Sequence, residues 1–102
     1  MSTPLTKNDI IENLKEKEKL LREKFHVKRI GIFGSFARNE NSDKSDIDFL
    51  VEFDIPLESY IQNRLNLIEY LEKLFGRKID LANPNSLKPL YKNTILNQAL
   101  YA

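Results

Sequence analysis

Residues 46–53 read Asp-Ile-Asp-Phe-Leu-Val-Glu-Phe, and this alternation constrains the fold more than any other stretch. Ile47, Phe49, Val51 and Phe53 take one face, while Asp46, Asp48, Leu50 and Glu52 take the other. The segment reads as a half-buried strand, ended by Asp54-Ile55-Pro56.

The neighbouring segments supply helices and further strands. Ile10, Ile11, Leu14, Leu21 and Phe25 recur near the helical period, which predicts one helix over 7–25 with Thr6 as N-cap and Asp9 three residues on. Val27 to Phe33 is β-branched and apolar, a second strand. It runs into Gly34-Ser35, and a short helix is expected from Phe36-Ala37-Arg38, followed by a polar loop over 39–45. Residues 58–75 are predicted helical, with Ile61, Leu65, Ile68, Leu71 and Phe75 as the apolar stripe and Gly76 as the C-cap glycine. Residues 78–82 form a short strand candidate, Asn83-Pro84-Asn85 a turn, and residues 86–100 a last helix with Pro89 in its first turn. The order α-β-(α)-β-α-β-α predicts a single domain over 1–102, of α/β (α+β) class, with a small mixed β-sheet flanked by helices.

A chain of 102 residues suits one core, and 41% hydrophobic with 30% charged residues argues for a folded globule. Without Cys there is neither a disulfide frame nor a thiolate metal site, which fits a cytoplasmic location. No apolar run approaches the roughly 18–20 residues of a membrane span. Met1-Ser2-Thr3-Pro4 lacks the charged-then-apolar order of a secretory signal.

The net charge of +1 conceals a strong division. Residues 40–58 carry seven acids and only Lys44, whereas 7–29 and 59–102 are each net +3. The acidic middle would repel a phosphate unless a cation sat between them, and by charge alone it could equally be a solvated loop.

Three features in and around that stretch could carry chemistry. Asp46 and Asp48, two apart on a strand, point the same way with Cα atoms roughly 6.5–7 Å apart, so they can converge on one hard cation. Two exposed acids at a strand mouth would look the same. Gly34-Ser35 lies at a strand end where a helix can start, which lets a phosphate approach the backbone; an ordinary turn would also read this way. Asp80, between Ile79 and Leu81, turns away from an apolar face and joins the other acids if its strand pairs beside theirs. There it could bind metal or accept a hydroxyl proton. Arg38 could contact a phosphate or form a structural ion pair. His26 is the only histidine and is expected at a helix end, and nothing supports a Ser-His-Asp triad or a His-based zinc site. The four tyrosines are expected to pack.

Together, Gly34-Ser35-Phe36-Ala37-Arg38 and Ser45-Asp46-Ile47-Asp48-Phe49-Leu50-Val51 resemble the G-S-x(10)-D-x-D signature of the MNT-type minimal nucleotidyltransferases of the DNA polymerase β superfamily. Ten residues separate Ser35 from Asp46, as the pattern requires. Lys78-Ile79-Asp80-Leu81 is similar to that family's third-carboxylate strand, and Leu87-Lys88-Pro89 to its closing helix. The resemblance implies Asp46, Asp48 and Asp80 as catalytic residues around Mg2+, as two ions, with Gly34, Ser35 and Arg38 on the nucleotide. The implied reaction is NMP transfer from an NTP with release of pyrophosphate. Where the family carries Arg-Gly this chain has Arg38-Asn39, and Asn tolerates the left-handed conformation well.

Similar small proteins are antitoxins that transfer AMP from ATP to a tyrosine of a HEPN-domain toxin, beside its R-x4-H-x-Y RNase motif. This chain lacks that motif: Arg22 and His26 are one residue too close, and Lys28 stands where Tyr is needed. The resemblance therefore implies the antitoxin half, with a cognate HEPN-type toxin as partner, homo- or hetero-oligomerisation open, and no membrane or direct nucleic-acid binding. Two alternatives stand beside it. The chain could neutralise a toxin by covering it, using Tyr91, Ile95 and Leu100, which could equally be core, or it could modify a small molecule such as an aminoglycoside with a partner subunit completing the pocket.

Overall fold

The computed structural model describes residues 5–42 and 44–102, together with every side chain among them except that of Ser86. The reading of Met1-Ser2-Thr3-Pro4 lies outside the described residues, as does Asp43 of the acidic stretch. The order is α1 (Lys7–Glu16), α2 (Glu18–Phe25), β1 (Val27–Phe33), α3 (Gly34–Ala37), β2 (Ile47–Phe53), α4 (Leu57–Phe75), β3 (Ile79–Ala82), a 3-10 turn (Pro84–Ser86), α5 (Pro89–Gln98) and β4 (Leu100–Tyr101). The expected mixed α+β architecture is what the chain adopts.

The sheet runs β3-β2-β1-β4. β2 pairs antiparallel with β1 and parallel with β3, and β4 pairs antiparallel with β1. A parallel neighbour requires a long crossover, and α4 provides it between β2 and β3. One sheet face packs on the helices. Ile30 and Ile32 of β1, with Phe49 and Val51 of β2, meet Ile10, Leu14, Leu21 and Phe25 of α1 and α2 and Leu67 and Leu71 of α4 in one core. Each such side chain contributes roughly 1.5–3 kcal/mol when fully buried.

The first helix departs from expectation by breaking at Lys17, whose φ of −97° and ψ of 9° leave the helical region. α1 packs on β1, while α2 packs on both β1 and α4. Thr6 does cap α1, in a reciprocal pair with Asp9. His26 ends α2 in the left-handed conformation, φ 56°.

The apolar stripe expected on α4 holds at Ile68, Leu71 and Phe75 and is corrected at Ile61 and Leu65. Ile61 and Leu65 are 72% and 51% exposed, and the buried residues are Asn63, Leu67 and Leu71. Asn63 takes the core face because its Nδ2 donates to the Phe25 carbonyl at 2.6 Å, one of the acceptors left over at the end of α2. Gly76 closes α4 with φ 64°, as expected for its C-cap.

The last helix is also corrected. It stops at Gln98, and Leu100-Tyr101 forms β4 on β1 instead. Gly31 makes this possible: a Cβ there would lie 2.6 Å from the Leu100 carbonyl oxygen. The Arg29 guanidinium then covers the Tyr101 ring at 3.7 Å.

Candidate active site

The site forms where β1 ends and β2 begins. Phe33 stands opposite Asp48 in the antiparallel pair, so the next residue, Gly34, is delivered against the Asp48 side chain. Gly34 has φ 71°, and a Cβ built on it would overlap the Asp48 carboxylate. Glycine is thus required twice, for the left-handed backbone and for the space. α3 turns away at once, anchored by the fully buried Phe36 and by Arg38 N–H donating to the Gly34 carbonyl at 3.1 Å. Ser35 N and Oγ lie on this turn, and its carbonyl accepts from Glu40 N–H at 2.8 Å. Asn39 adopts φ 59°, the left-handed conformation that replacing Gly by Asn was expected to permit.

The third strand does pair beside the second. Asp48 is the register partner of Asp80, and Ile47 of Ile79. Ile47 is buried, so Asp46 and Asp48 on either side of it lie toward the opposite sheet face. Asp46 itself is exposed and sits immediately before β2, not within it; Asp48 is half-buried and Asp80 exposed.

Burial and neighbouring charge both act on Asp48. Partial burial, then Asp80, then Asp46, push its pKa up to about 6, and only the Arg38 guanidinium opposes them. Arg38 is not directed solely at the acids: its Nε pairs with Glu40 at 2.9 Å and its Nη1 donates to Gln98 of α5 at 3.0 Å.

These three carboxylates are hard oxygen donors where β2 begins beside β3, a donor set that suits a divalent cation. Among the described residues no three acids or histidines close into a preformed cluster. That is compatible with Mg2+, which keeps several waters and is commonly held by one or two carboxylates plus substrate phosphates. Asp46 and Asp80 face solvent. A cleft of about 370 Å3, lined by Leu14, Arg22, Val27 and Arg29 among others, has none of the carboxylates in its wall.

Sequence reasoning passed over Arg77. Its Nη1 donates to the carbonyls of Ser42 and Ser45 at 3.2 and 3.0 Å, and its guanidinium lies 5.2 Å from the centre of the Phe36 ring. Its place between the cap glycine and β3 was the available signal.

Known proteins share this fold and family. The model of the nucleotidyltransferase domain family matches residues 11–102. The protein adenylyltransferase MntA of Thermococcus cleftensis is 42% identical over 99 residues, covering 95% of this chain and 96% of that protein. A solved structure described as a candidate minimal nucleotidyltransferase superposes with a TM-score of 0.77 at 24% identity, covering 97% of this chain and 98% of that one. A toxin-antitoxin crystal structure with AMP-PNP superposes at 0.67, with 24% identity, over 87% of this chain and 71% of that one. By fold, site geometry and family match, the chain belongs to the nucleotidyltransferase domain family.

Proposed function

We propose that this chain, read as one domain over 1–102, is an Mg2+-dependent protein adenylyltransferase that acts as an antitoxin. It transfers AMP from ATP to a tyrosine of a cognate HEPN-type RNase toxin in the cytoplasm. The observation that carries this reading is the register of Asp48 with Asp80 beside Gly34. The names of the relative and of the AMP-PNP complex support the reaction and the kind of partner. Among the described residues, no helix is long and apolar enough to cross a membrane.

Asp46 and Asp48 hold the metal, with Asp80 completing the set, and the Gly34-Ser35 turn receives the triphosphate. Bound Mg2+ supplies charge neutralisation at the phosphates and the leaving group. Asp80 accepts the proton of the tyrosine hydroxyl as its oxygen bonds to the α-phosphorus. The bond from that phosphorus to the β-phosphate oxygen breaks, and pyrophosphate leaves. Arg38 contributes positive charge beside the phosphates.

Incubation with α-labelled ATP, Mg2+ and the adjacent gene's product tests the proposal. Label is expected on a toxin tyrosine, lost with Asp48→Ala while the variant stays folded. No label on a bound partner would refute it, and label on an aminoglycoside instead would redirect it to small-molecule transfer.

A second reading, neutralisation by binding alone, draws on exposed Leu90 and Tyr91 of α5. Toxin neutralisation in cells by a triple Asp→Ala variant would favour it.

A further inference from the structure

We propose that Arg77 is a positioning residue that couples the phosphate-binding turn to the metal carboxylates. The inference rests on the adenylyltransferase reading above. Arg77 directly follows Gly76, the cap of α4, and its side chain reaches back to the loop before β2. The two hydrogens of Nη1 serve two carbonyls of that loop, Ser42 and Ser45. Ser45 immediately precedes Asp46, so the bond fixes the backbone from which that exposed carboxylate projects. The same guanidinium faces Phe36, the buried anchor of the turn that begins at Gly34.

Asp46 needs such support because it lies outside the β2 ladder, whose first bond is Ile47 N–H to the Lys78 carbonyl at 3.0 Å. Lys78 follows Arg77 in sequence, so one dipeptide, Arg77-Lys78, holds the chain on both sides of Asp46. Lysine could not replace Arg77 fully. A compact ammonium has donors enough for two carbonyls, but it lacks the planar face that lies toward the Phe36 ring.

The test compares wild type, Arg77→Lys and Arg77→Ala in three measurements. These are amide hydrogen exchange over residues 42–47, affinity for Mn2+ with AMP-PNP by calorimetry, and the Mg2+ dependence of AMP transfer to the toxin. Arg77→Ala is expected to speed exchange in that segment and to weaken Mn2+–AMP-PNP binding roughly 10-fold or more, as loss of outer support for a metal site does. It should raise the Mg2+ needed for half-maximal transfer while leaving kcat largely recovered at saturating Mg2+. Arg77→Lys should fall between the two. Wild-type affinity and exchange in folded Arg77→Ala would overturn the inference and leave the proposed function standing. If Arg77→Ala does not fold, Arg77→Lys decides by the same criteria. A wild-type protein that binds no Mn2+–AMP-PNP would overturn both.

Discussion

Gly34 and Asp48 occupy the same space to within a methyl group: the turn that begins at Gly34 exists only because no side chain stands between it and the Asp48 carboxylate. Gly34→Ala therefore combines backbone strain at φ 71° with steric overlap. It is expected to cost about 1–3 kcal/mol and to abolish AMP transfer. Thermal denaturation checks the first outcome and labelled-ATP transfer the second; wild-type values in both would refute the assignment of this turn.

The Asp48 pKa gives a pH signature in the metal-free protein. Its folded value, about 6, lies above the ordinary 3.8, so the folded state holds this proton more tightly than the unfolded chain. Stability from this group is therefore present below about pH 4 and is lost as pH rises to about 6. Asp48→Asn should gain about 1 kcal/mol relative to wild type between those limits, a modest figure because the carboxylate is partly solvated and screened. Paired denaturation curves at pH 4 and pH 7 measure it. A variant that gains nothing across that range contradicts the crowding of the three acids.

Mg2+ should reverse the same effect. At pH 7.5 added Mg2+ is expected to raise the wild-type Tm, because a ligand of the folded state alone stabilises it. At pH 5 a proton on Asp48 competes, and the rise should shrink. In Asp46→Ala/Asp48→Ala it should vanish at both. Equal Mg2+ shifts in wild type and double variant would remove the metal from these residues.

Asn63 offers a test of the fold apart from the chemistry. Asn63→Ala leaves the Phe25 carbonyl without its buried donor, at a cost of about 1–3 kcal/mol. For a domain of this size each kcal/mol lowers Tm by about 4–8 °C. Transfer activity well below the Tm should persist.

The reading of residues 46–53 needed only the strand period and its own side chains, and β2 follows it within one residue. The capping pair Thr6–Asp9 and the glycine at 76 were legible for the same local reason. The N-terminal part of the α4 face was not, because its inward choice turns on Asn63 finding a carbonyl 38 residues away, which hydrophobicity cannot report. β4 has two residues and no pattern of its own; it exists because Gly31 leaves room for it. Within the site, the direction of Asp46 and Asp48 came from alternation. Their meeting with Asp80 depended on strand order, and the place of Arg77 after the cap glycine hinted at a role whose target, the loop before β2, lies 32 to 35 residues away.

The sheet order has a consequence for how the chain is made. Asp48 waits in a hairpin with β1 that is complete by residue 53, yet its register partner Asp80 is delivered only after all of α4. A ribosome would thus release most of the core-forming residues before the last carboxylate arrives. A nascent chain halted within the crossover would present half a site, unable to bring the three acids together, however well its first strands had folded.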